Sequence, residues 1–116
     1  MNIEIDHAAN EYRRHIADVV NGVQELREIR EKAFTDSQNW ARELTKLLKD
    51  QEDVPKRHLY AIYAAIGTLE NEAPDSKNEK RVLEIAGAIR LTFSMILTGR
   101  CHDEYKPPQA GVPRIK

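Results

Sequence analysis

Glu4 and His7 stand three residues apart, the Glu-x-x-His element that carboxylate-bridged di-metal bundles place once on each of two helices. The other histidines, His15, His58 and His102, follow Tyr12, Pro55 and Gly99 at that offset, so the chain holds one such element where a di-metal centre needs two. His7, Glu11 and His15 recur at i, i+4 and i+8, a spacing that could chelate a soft divalent ion. Their heptad places face water, however, and a solvated polar face accounts for them. Cys101-His102-Asp103-Glu104 sets a thiol beside a base. Neighbouring loop residues rarely point at one another, and a thiol just past a helix C-terminus meets the negative end of the dipole, which raises its pKa instead of activating it. The glycines at 22, 67, 87, 99 and 111 stand alone, so no phosphate cradle can be drawn through them. The expectation is a protein that is not an enzyme, with no catalytic residue, metal or cofactor; a metal-dependent bundle enzyme is the least favoured reading.

Residues that could bind are more numerous. Lys46, Lys49, Lys56 and Arg57 surround a helix junction that could be mistaken for a DNA-reading pair, but Asp50, Glu52 and Asp53 sit among them and would repel phosphate. Lys106, Arg114 and Lys116 lie among prolines near the C-terminus, as a flexible arm would. Tyr60 and Tyr105 fall off the helical seams and are contact candidates, whereas Tyr12, Trp40 and Tyr63 fall on them and are expected in the core. Arg30 holds a seam position where an apolar residue is expected, so it needs a partner.

The elements that carry these residues are read from periodicity. Ile5, Ala9, Tyr12, Ile16, Val19, Val23, Leu26, Arg30 and Ala33 keep a four-three rhythm, which predicts one long first helix over 3–33. Asn21-Gly22 is the one local objection, since that dipeptide usually marks a turn, but the seam keeps its phase from Val19 to Val23 to Leu26. A continuous helix, bent there, is therefore expected over a break, with Arg14–Asp18, Arg27–Glu31 and Glu28–Lys32 as i,i+4 pairs on its wet side. Thr35-Asp36-Ser37-Gln38 has the form of a capping box, so a second helix is expected from about 36 to 51. Asp53 and Pro55 signal the start of a third, which Pro74 ends. Ser76-Lys77-Asn78-Glu79 reads as the capping box of a fourth, which Gly99 closes. Pro107, Pro108 and Pro113 forbid helix beyond it. The fold class is therefore all-α, an antiparallel four-helix bundle over 1–100 followed by an extended, Pro-containing tail over 101–116.

With 41% hydrophobic and 32% charged residues the composition is that of an ordinary globular chain. No run is long enough to cross a membrane, the first residues lack the pattern of a signal peptide, and one cysteine forms no internal disulfide; a cytoplasmic location is expected. The net charge of −1 conceals a positive last third, too weakly basic to predict nucleic-acid binding by itself. A 31-residue first helix would outrun a shorter second one and leave apolar seam uncovered. The fourth helix adds Ala88, Leu91, Met95 and Thr98 on a second face. Either a homodimer covers that face, or the helix packs against both the first and the third. These features favour a regulator, adaptor or inhibitor of bacterial or phage type that binds another protein and self-associates. Ala88, Leu91, Met95, Tyr60 and Tyr105 are its interface candidates. The alternative is a nucleic-acid-binding regulator using Lys46, Lys49, Lys56, Arg57 and the tail.

Overall fold

The computed structural model describes residues 2–104, so the expected tail lies outside them from Tyr105 onward. Among the described residues there are four α-helices and no strand: α1 (Ile3–Glu25), α2 (Glu31–Leu48), α3 (Lys56–Glu72) and α4 (Glu79–Thr98). None is long and apolar enough to cross a membrane.

The long first helix is corrected. α1 stops at Glu25 because Arg27 takes a left-handed backbone, φ 55°, and the N–H groups of Leu26 and Glu28 both donate to Gly22 O. The chain turns back, and Arg30 folds over Gly22 so closely that a Cβ there would lie 2.9 Å from Arg30 Cγ. Arg30 meets its partner in an ion pair with Asp18. The broken helix also rearranges the expected pairs: Arg14 joins Glu11 at 2.7 Å, Glu31 joins Arg81 at 2.7 Å and Lys32 joins Asp36 at 3.1 Å.

α2 starts at Glu31, five residues before the expected start, and buries Ala33, Ser37, Ala41, Leu44 and Leu48 along one side. Thr35 lies inside the helix and Ser37 donates back to Phe34 O, so the capping box is not used. The box at 76–79 is likewise unformed: Ser76 Oγ accepts from Asn78 N–H ahead of α4. Pro74 and Gly99 act as expected, the latter at φ 69° with its N–H on Met95 O.

Contacts at both ends of each helix fix the directions. His7 of α1 meets Trp40 of α2 edge-on, with ring centres 5.4 Å apart, while Asp18 reaches Arg30 at the opposite end, so α1 and α2 are antiparallel. α3 and α4 are antiparallel too, through Tyr63–Phe93 and Glu70–Arg90. Asp6 meets Arg57 and His58 at the start of α3, and Ile16 and Val20 share a groove with Ala65 and Thr68 near its end, so α1 and α3 run parallel. Glu31–Arg81 and Thr45–His102 align α2 with α4 in the same way. Around the bundle the order is α1, α2, α4, α3, with the diagonal pairs hardly touching.

α1 and α2 have 23 and 18 residues, so the length mismatch that left seam uncovered shrinks to five residues. The second face of α4 is explained as well. α4 packs between α3 and α2, not α1 and α3; Met95 is 2% exposed, and Ala88 and Leu91 are half-buried. Burying an apolar side chain of this size stabilises by roughly 1.5–3 kcal/mol, so Met95 belongs to the interior and is no interface candidate. The ordered unit also extends past residue 100. Cys101 is buried, His102 N–H donates to Thr45 Oγ1, and Lys49 pairs with Glu104.

Candidate functional site

The exposed apolar side chains that lie next to one another belong to α3 and α4. Tyr60 is 72% exposed, Tyr63 63% and Leu97 59%, with Leu83 exposed farther along α4. Tyr63, expected in the core from its seam position, is instead one residue beyond the buried Ile62, about 100° around the helix. There it leans on half-buried Phe93 across the α3/α4 seam, ring centres 6.3 Å apart. Leu59 and Leu97 line one depression at the start of α3, and Glu70 accepts from Arg90 at 2.7 Å toward its end. The result is an apolar strip along two helices with charge at its edge, the usual composition of a protein-binding face.

Half of the basic cluster is spent within the fold. Lys49 is tied to Glu104 and Arg57 to Asp6 at 3.2 Å, which leaves Lys46 and Lys56 exposed without an ion pair among the described residues. Of the metal-type spacings, Glu11 and His15 come within 3.9 Å of each other, Oε2 to Nδ1. His7 sets its ring edge-on to Trp40, while His15 Nδ1 donates to Glu11 O at 2.8 Å. Among the described residues no group of three or more His, Cys, Asp or Glu side chains has the arrangement to hold a metal ion. His102 turns away from Cys101 chemistry, with Nε2 2.8 Å from Thr92 Oγ1. Burial, helped by the nearby positive charge of Arg42, holds its ring below the usual histidine pKa.

Sequence reasoning missed one polar site. His58 is 2% exposed; its Nδ1 accepts from Arg13 Nη1 at 3.2 Å and its Nε2–H donates to Asp6 Oδ1 at 3.1 Å. Arginine is only ever a donor, so this arrangement selects the neutral Nε2–H tautomer. The hydrogen bond from His58, opposed by partial desolvation and aided by Arg57, holds the Asp6 carboxyl below its ordinary range. The three residues stand 45 and 52 positions apart along the chain, so no local spacing could have announced the clasp. It fastens the first turn of α3 to α1. At the centre of the bundle, the Tyr12 hydroxyl lies beside Thr92 without good hydrogen-bond geometry, and burial pushes its pKa well up.

Compared with protein-family models, curated proteins and solved structures, the chain matches none.

Proposed function

We propose that this chain is a non-enzymatic helical protein, a regulator, adaptor or inhibitor, that works by binding protein through the outer face of α3 and α4. The observation that carries the reading is the exposure of Tyr60 and Tyr63 one turn apart on α3, with Leu97 also exposed on the adjoining α4, on a bundle whose other large apolar side chains are mostly covered. Aromatic residues standing in water at 63% and 72% exposure contribute little to folding, while tyrosine is among the side chains that most often carry binding energy. Tyr105, the remaining contact candidate, lies outside the described residues. A cytoplasmic location accords with the single cysteine, Cys101, buried as a free thiol.

The test is comparative capture from an extract of the source cells, with the full wild-type chain and a Tyr60→Ser/Tyr63→Ser variant as paired baits. Both positions are exposed, so the variant should melt within about 0.5 kcal/mol of wild type. A bound protein present with wild type and lost with the variant is the expected result. Identical capture by both baits, together with self-association that the substitutions leave unchanged, would sink the reading.

A further inference from the structure

We infer that the outer face of α3 is the contact between two copies of this chain, packed antiparallel about a two-fold axis that passes beside Tyr63. The inference rests on the binding reading above and names its partner.

Lys56, Tyr60, Tyr63, Gly67 and Glu70 follow one another at spacings of four, three, four and three along α3. That is the rhythm of a helix packed lengthwise on another helix. Yet it is a second seam, distinct from His58, Ile62, Ala65, Ile66 and Leu69, which face the core. Lys56, Tyr60, Tyr63 and Glu70 are all exposed.

The two ends of this seam carry opposite charge. Lys56 and Glu70 stand four turns apart, about 21 Å along the axis. A second α3 laid antiparallel brings each Lys56 opposite the other copy's Glu70, twice over by symmetry; a parallel pair would stack like on like. Arg90 engages only Oε2 of Glu70, and a carboxylate accepts on both oxygens.

The register that pairs these charges also brings Tyr60 of one copy within one residue, about 1.5 Å along the axis, of Gly67 of the other. At Gly67 a Cβ would meet nothing within 4 Å. A depression of ≈ 380 Å³ surrounds it, with Tyr63, Glu70 and Arg90 on its rim. Glycine in a helix interior costs roughly 1 kcal/mol against alanine, and no neighbour within the fold requires it at 67. An incoming tyrosine ring does, because any side chain there would fill the pit.

Light scattering of the full chain over roughly 1–500 µM tests this directly. Wild type should reach twice its 13.3 kDa mass. Lys56→Glu alone and Glu70→Lys alone each set like charges opposite each other, and each should weaken association by about tenfold or more. An equimolar mixture of the two variants restores both pairings and should recover the doubled mass. Gly67→Gln, a good helix former on an open surface, should weaken association by a similar factor while far-ultraviolet circular dichroism stays helical. A wild-type chain that remains at 13.3 kDa throughout overturns the inference, as does a dimer indifferent to Gly67→Gln or a variant mixture that stays monomeric. A monomer that still captures another protein through Tyr60 and Tyr63 removes the second copy as partner and keeps the binding reading; loss of both removes both.

Discussion

The α1/α2 and α3/α4 hairpins are each two antiparallel helices joined by a short connection, but they meet water differently. The outside of α1/α2 is stitched with charge: Arg14–Glu11, Lys32–Asp36 and Arg30–Asp18–Glu28. Its large exposed apolar side chains, Ile3 and Leu26, stand at or just past the two ends of α1. The outside of α3/α4 instead carries Tyr60, Tyr63, Leu83 and Leu97 along its length. Their glycines differ in the same sense. Gly22 of α1 is buried beneath Arg30, so its lack of a side chain serves the fold; Gly67 of α3 opens onto solvent, where the fold has no use for it. The contrast teaches that one hairpin is finished by its own contacts and the other is not.

Substitutions can break or sharpen that contrast. The largest effect should come from Met95→Glu, which places an unpaired charge where α4 is sealed and should destabilise by at least about 3 kcal/mol in a chemical melt. Combined with Leu91→Glu it should unfold the chain, not merely dissociate it. Retained helicity would return Met95 to the surface. Next come the glycines, in opposite directions. Gly22→Ala drives a methyl into Arg30 and should destabilise by about 1 kcal/mol, whereas Gly67→Ala should stabilise the dilute protein by roughly 0.5–1 kcal/mol. Thermal melts of the two variants that shift the same way would erase the distinction.

A smaller, pH-dependent effect belongs to His102, which follows α4 and touches Thr45 of α2 and Thr92 of α4. The ring of His102 has its pKa depressed in the folded chain, so the unfolded chain binds the proton more readily. The resulting stability is present above the ordinary value of 6.5 and is lost as pH falls from there toward the depressed value. His102→Gln should flatten the difference between melts at pH 7.5 and pH 5.5; an unchanged slope would assign that difference to other groups. The smallest effect is expected at the turn that finishes α1. Arg27→Gly relieves a left-handed residue and should raise stability by about 0.5–1 kcal/mol.

Much of the fold was legible because local rules decided it. Pro74 and Gly99 bounded α3 and α4, and Ile62, Ile66, Val82 and Ile89 fell inward on a regular stripe. The break after Glu25 was not legible, because the four-three count of Val23, Leu26 and Arg30 continues across it unaltered. What ends α1 is a left-handed arginine and a guanidinium packed on Gly22, and neither has a local signal. From that one error came the misplaced start of α2 and the surplus seam that wrongly suggested an uncovered first helix. Tyr60 was legible as a contact residue by falling off the stripe. Tyr63 was not, because a residue at the stripe's edge can face either way until the neighbouring helix is placed.

The segment 49–55 carries the chain from α2 to α3, which occupy opposite corners of the bundle. Each hairpin therefore closes on sequence-near neighbours, and only the joining of the two halves brings distant stretches such as Asp6 and His58 together. A polypeptide wired this way can complete each half early and quickly, leaving a single late merger as the slow event on its route to the native state.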